Sequence, residues 1–247
     1  MFSNKKSDAL LAKIRNGNPM TGREKLNLII GLSIPSMLAQ ITSVMMFFFF
    51  FFMVGHLGAE ALVSIGIIES TTWLMGSMLG ALSTGFSVQV AHFIGANDFF
   101  KARQVLRHAL ICGLIFSLLM MSIGISIHSR LPYWLGGGSD IAGNSSAYFL
   151  IYSFALPFVL LYFMSSAMLK SSGNMKIPSI LSVVMCLLDV VFNYIFIYIL
   201  KLGVAGAALG TLMAYVVTVL PMVWQATCKS KILALHLDKV KFYWNWG

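Results

Sequence analysis

Charge is what this chain has least of. Its 247 residues include 8 Asp and Glu and 17 Lys and Arg, 10% in all, while 58% are hydrophobic and the mean hydropathy is +0.85. A water-soluble core of this size does not require so much apolar surface, so a soluble globular domain is excluded and an integral membrane protein is indicated. Cysteine is scarce too. Cys112, Cys186 and Cys228 stand apart in apolar stretches, without zinc-site or disulfide spacing, and read as small core residues. Residues 1–25 lack the early apolar core of a signal peptide, so nothing there looks cleavable. The run Gly136-Gly137-Gly138-Ser139-Asp140 has no strand before it and no Lys-Ser or Lys-Thr after it, which makes it a loop rather than a phosphate cradle. The intramembrane acids are not part of a cluster of nucleophile, base and metal ligands facing one another. An enzyme is therefore not expected, and neither is a cofactor or a resident metal.

What the chain does have is a series of long apolar runs. They predict an all-α, polytopic lobe of six transmembrane helices at about 26–55, 61–90, 107–128, 144–169, 177–200 and 204–228. An N-terminal segment, 1–25, precedes them, and a tail, 229–247, follows. From Leu26 to Gly55 there is no ionisable side chain, a length that crosses a hydrocarbon core of about 30 Å even when tilted. Pro35 and Pro157 fall inside spans and predict kinks, since proline lacks the amide donor and crowds the preceding turn. Asp98 offers an N-cap to a short amphipathic lead-in before the third span. Gly206, Gly210 and Ala214, at four-residue spacing, give the last span a face for close helix packing.

The basic residues fall in alternate loops. Of the 17, 15 lie before the first span, between the second and third, between the fourth and fifth, or after the sixth. That is the pattern of the positive-inside rule, so both termini are expected in the cytoplasm and the net charge of +9 does not point to nucleic acid. In the tail, Tyr243, Trp244 and Trp246 mixed with lysines suggest an interfacial segment.

Polar residues inside the spans carry the functional signal. Asp189 lies near the middle of the fifth span, where a carboxylate disfavours insertion by roughly 2.5–3.5 kcal/mol and so turns towards a bundle interior or a watery cavity. Asn193 shares its helix face at i+4, and Ser182 extends the stripe. Two readings of Asp189 stand: a carboxylate that exchanges a proton or sodium ion, or a buried acid paired with Asn193 or a tyrosine for packing. Glu69, about 12 Å into the second span, heads a face of small and polar residues with Thr72, Gly76, Gly80, Ser83 and Ser87. Ser36, Gln40 and Ser43 share a face of the first span and serve either a cavity or helix-helix hydrogen bonds. His56, His92, His108, His128 and His236 all lie near span ends or in loops, where interfacial solvation explains them.

Several short motifs occur in a defined order. They are Met53-Val54-Gly55-His56-Leu57-Gly58-Ala59-Glu60-Ala61-Leu62, Ser83-Thr84-Gly85-Phe86-Ser87-Val88-Gln89-Val90-Ala91 with Gly95-Ala96-Asn97-Asp98, Leu156-Pro157-Phe158, Leu169-Lys170-Ser171-Ser172-Gly173-Asn174, and Gly203-Val204-Ala205-Gly206-Ala207-Ala208. In this register the chain resembles the N-terminal six-helix lobe of the MATE (multidrug and toxic compound extrusion) family, over roughly residues 26–228. The resemblance implies a multidrug or metabolite exporter of the bacterial inner membrane, driven by sodium or proton antiport. The expected partners are a small, cationic or amphipathic substrate, the lipid bilayer and a second lobe. On this resemblance Asp189 and Asn193 match the family's polar pair on the fifth span, with acid and amide exchanged, and form the expected sodium or proton site; Glu69 matches a polar position on the second. Ser36, Gln40, Ser43, Thr72 and Ser182 are the candidates for the cavity wall. Two departures stand out. The chain accounts for one lobe where the family has two, and an acid that the family commonly carries near the end of the first span falls at Phe50. The run Phe47 to Phe52 is either a lipid-facing stretch or the trace of a lost ion ligand. A flippase for lipid-linked sugars and a non-transporting membrane scaffold are the alternatives. A flippase predicts basic residues in the cavity, yet every Lys and Arg here maps to a loop or span end.

Overall fold

The computed structural model describes residues 4–15, 19–230 and 232–233. The aromatic tail and His236 lie outside the described residues. Eight α-helices follow one another: α1 (Asn4–Arg15), α2 (Gly22–Gly55), α3 (Ala59–Gly95), α4 (Phe99–Ile127), α5 (Leu131–Trp134), α6 (Ser139–Ser171), α7 (Lys176–Tyr194) and α8 (Gly203–Trp224). A π-helical turn extends α7 over Ile195–Ile199, and another extends α8 over Gln225–Lys229. Six of these helices, α2, α3, α4, α6, α7 and α8, are long and apolar enough to cross a membrane. There is no strand among the described residues.

The helix ends differ from the sequence reading where local capping overrides hydropathy. α2 starts at Gly22 rather than Leu26 because Thr21 and Glu24 form a capping box, each satisfying the other's backbone amide at 3.3 and 2.9 Å. The charged residues 22–25 are thus the first turn of the span, and residues 4–15 of the N-terminal segment form a helix of their own. The lead-in at 99–106 is continuous with the third span, since Asp98 accepts from the Lys101 amide at 3.1 Å and starts α4 at Phe99. Ser139 and Asp140, read as loop, open α6, with Gly138 as N-cap and Asp140 in the first turn, where a carboxylate suits the helix dipole.

Interhelical hydrogen bonds fix the register. Ser145 Oγ donates to Ser64 O at 2.6 Å, Tyr152 OH to Thr72 O at 2.9 Å and Ser171 Oγ to Ser87 O at 3.0 Å. Residue numbers rise together along both helices, so α3 and α6 run parallel, as second and fourth spans must. α6 packs against α3, α4 and α8 and is the most buried of the six. α2 hangs on the opposite flank. It packs chiefly on α7, where Ser179 Oγ reaches Pro35 O at 2.6 Å and Tyr198 OH reaches Met53 O at 2.9 Å, and it touches α3 only sparsely. Between α2 and α3 there is therefore a cleft.

Candidate functional site

Five helices line the cleft around a cavity of about 520 Å³. α2 contributes Ser43, Met46, Phe47, Phe50 and Phe51, α3 contributes Glu69, Thr72, Trp73, Gly76, Ser77 and Gly80, and Asp189 of α7 lies at the wall. Tyr148, Tyr152 and Phe163 of α6 and Tyr215 of α8 complete an aromatic lining. No Lys or Arg is among these residues. Glu69 and Asp189 carry the charge.

The two acids have different surroundings. Glu69 is partly exposed, and its Oε1 accepts from Trp73 Nε1 at 2.6 Å. Asp189 is 0% exposed and Asn193 1%. Thr211 Oγ1 donates to Asp189 Oδ1 at 2.8 Å, whereas Asp189 Oδ2 and both polar atoms of the Asn193 amide are buried without a hydrogen-bond partner. Native interiors seldom leave such groups unmatched, since each buried unsatisfied group costs about 1–3 kcal/mol. Two of the three, Asp189 Oδ2 and Asn193 Oδ1, are hard oxygen ligands on one helix face beside a cavity, the chemistry of an ion or proton site, while Asn193 Nδ2 is a donor.

Helix packing explains why the site is there. α7 and α8 run antiparallel and come close because α8 presents glycines. A Cβ at Gly206 would meet Phe196 O at 2.7 Å, and one at Gly210 would meet the Asn193 backbone N at 2.8 Å as well as its side-chain oxygen. Gly210 thus lets α8 close on Asn193 and brings Thr211, the next residue, to Asp189. Sequence reasoning found the glycine face but missed Thr211. A hydroxyl adjoining a close-packing stripe was the available signal.

Of the residues proposed for the cavity wall, Ser43 and Thr72 line it. Ser36, Gln40 and Ser182 do not. Ser36 Oγ donates to Leu32 O at 3.1 Å, Gln40 is exposed, and Ser182 hydrogen-bonds Pro178 O and, at 3.1 Å, Tyr162 OH. Asn193 stands behind Asp189 rather than on the wall. The phenylalanine run is divided by helical periodicity. Phe48 and Phe52, 64% and 67% exposed, point outward, while Phe47, Phe50 and Phe51 line the cavity. A purely lipid-facing run is thereby corrected, and Phe50 stacks edge-on to Tyr148 at 6.2 Å. Of the cysteines, Cys186 is buried and Cys112 partly so, but Cys228 is exposed near the end of α8. Among the described residues no three of His, Cys, Asp or Glu cluster as metal ligands would.

The MatE family model matches residues 35–195, about two thirds of the chain. The chain belongs to the MatE family. Its match to the multidrug export protein MepA of Staphylococcus saprophyticus is 27% identical over 210 residues, 85% of this chain and 47% of that protein. An FAD transporter of Shewanella oneidensis is 20% identical over 224 residues, 88% of this chain and 50% of that one. Among solved structures, the outward-facing conformation of a multidrug resistance MATE family transporter superposes with a TM-score of 0.80 at 25% identity, covering 87% of this chain and 48% of its own. This MatE chain spans about half the length of the curated relatives it matches, and its fold is that of a multi-pass membrane lobe.

Proposed function

We propose that this chain is the ion-coupling lobe of a secondary exporter for small organic molecules. The observation that carries the reading is the group of unpartnered buried atoms at Asp189 and Asn193, beside an aromatic cavity that also holds Glu69. Asp189, Asn193 and Thr211 bind the coupling sodium ion or proton. The aromatic wall and Glu69 accept an amphipathic cation, since ring faces and a carboxylate both attract positive charge. Two cations near one low-dielectric cavity repel, so loading Asp189 weakens substrate binding and releasing the ion restores it. This is the reciprocal coupling that antiport requires. No ion or substrate is resident as a cofactor.

The same reading places the lobe in a bacterial inner membrane with its basic end in the cytoplasm, and has a second lobe close the cleft between α2 and α3 to allow alternating access. The absence of Lys and Arg from the lining favours this over a flippase for anionic lipid-linked sugars. The test uses purified residues 1–247. Sodium or acidification should raise the unfolding temperature relative to potassium at neutral pH, and Asp189→Asn should abolish that response without preventing insertion. In liposomes with an imposed ion gradient, this lobe alone should not move cationic dyes. An unchanged ion response in Asp189→Asn removes Asp189 from the mechanism, and gradient-driven transport by the monomer removes the need for a second lobe.

A further inference from the structure

A second cavity, of about 870 Å³, lies at the end of the bundle where α1 packs, and the transport reading does not use it. The turn Lys170–Asn174 lines it, with the end of α3, the starts of α2 and α7, the π-helical end of α8, and α1 at its side. We propose that this cavity binds an anionic phospholipid, with its phosphate on Lys170 and Lys229 and an acyl chain lying against Leu32, Ile94 and Ile177.

Charge is the first support. Among the described residues no Asp or Glu lines the cavity and neither lysine is in an ion pair. Two described carboxylates at this end of the bundle are engaged elsewhere: Glu24 with Lys13 at 2.9 Å and Asp98 with Lys101 at 3.2 Å. The Lys229 ammonium rests 4.6 Å from the centre of the Trp224 ring, which restrains it without neutralising it.

Shape is the second. Leu32, the α2 residue on the wall, lies level with the start of α7, one turn before the contact of Ser36 with Met175, and sets an apolar wall beside the charged groups. Its flanks are Leu11, Ile14, Ile94 and Ile177. The hydroxyls of Ser171 and Ser172 already donate to backbone carbonyls, which leaves the two ammonium groups, the side-chain amides of Asn174 and Gln225 and the Ser230 hydroxyl as donors. A cationic mouth beside an apolar wall matches a phosphodiester that carries a chain. A choline headgroup brings its own positive charge and is repelled by the same lysines.

α1 forms one side of the site. Its Lys13 is tied to Glu24 at the start of α2, and Leu11 packs onto Gly173, whose φ of +85° and missing Cβ admit that contact.

The experiment is native mass spectrometry of the purified chain in detergent, with phosphatidylglycerol and phosphatidylcholine of identical acyl chains. Phosphatidylglycerol should be retained preferentially, and Lys170→Gln and Lys229→Gln should each lower retention about fivefold, the worth of one basic residue at an anionic surface. Lys25→Gln, at the same end but outside the cavity, should leave it unchanged, and Leu32→Trp, which fills the space along the apolar wall, should lower it. Equal retention of both lipids overturns the proposal. So does a loss in Lys25→Gln equal to that in the cavity variants, or displacement of the lipid by inorganic phosphate alone, which marks a simple anion site. Retention unaffected by Leu32→Trp refutes the acyl-chain placement.

Discussion

Thr211→Val tests whether the polar group on α7 and α8 is a working site. Valine keeps the branched shape of threonine and removes the hydroxyl, the donor that reaches Asp189 Oδ1 at 2.8 Å. Asp189 Oδ2 already lacks a partner, so the variant leaves both oxygens of a fully buried carboxylate unmatched. A hydrogen bond to a charged group is worth about 1.5–3 kcal/mol, which is roughly a 10- to 150-fold change in any equilibrium that depends on it. The unfolding temperature in detergent should fall by several degrees, and half-maximal stabilisation by sodium should move to at least tenfold higher concentration, roughly the lower end of that range. Thr211→Ser, which keeps the hydroxyl, should recover most of both. Thr211→Val with wild-type unfolding and a wild-type sodium titration would refute the assignment of Thr211 to the site.

Gly210→Ala places a methyl group against Asn193 and should separate α8 from α7 at a cost of about 1–3 kcal/mol; thermal unfolding reads this, and unchanged stability would mean that the helices give way freely. Phe50→Asp returns a carboxylate to the cavity wall and should strengthen stabilisation by cations, whereas no gain in a sodium titration would place Phe50 out of reach of the ion. For orientation, a cysteine at Ser139 in a background lacking Cys112, Cys186 and Cys228 should react with an impermeant thiol reagent in intact cells, and one at Ser230 should not. The reverse labelling pattern would overturn the cytoplasmic placement of the basic end.

Hydropathy revealed the six spans because lipid imposes one rule on every segment that crosses it: about twenty apolar residues with backbone polar groups satisfied internally. Helix ends were less legible. They depend on single capping residues such as Thr21, Asp98 and Gly138, which act against the local hydropathy. Helical spacing placed Asp189 and Asn193 on one face, but which partner would meet that face is a property of packing between helices. Thr211 therefore went unnoticed, and so did Tyr148, Tyr152 and Tyr215, whose rings form much of the cavity wall. Ser36 and Gln40 illustrate the converse. They share a face with Ser43, yet that face passes from α7 to open surface along the length of α2, and only Ser43 reaches the cavity.

The hydrogen bonds group the helices into two sets with the cavity between them, joined directly by the bond of Tyr162 OH to Ser182 Oγ at 3.1 Å. α3 and α6 are joined by three side-chain-to-carbonyl bonds, with α4 packed on both. α2 and α7 are joined by Ser179 to Pro35 and Tyr198 to Met53. Pro35 has no amide to donate to the preceding turn, so the α2 backbone is weakest beside the bond from Ser179. α8 touches both parts, and its Thr211 holds Asp189 of α7. If Asp189 and the Thr211 hydroxyl oxygen hold the ion together as proposed, its arrival acts on the contact between α7 and α8. Because α2 is bonded to α7 and only sparsely to α3, any shift of α7 carries α2 with it and changes the width of the cleft. Occupancy of the proposed ion site and cavity shape would then be linked through named bonds, each of which can be removed by one substitution.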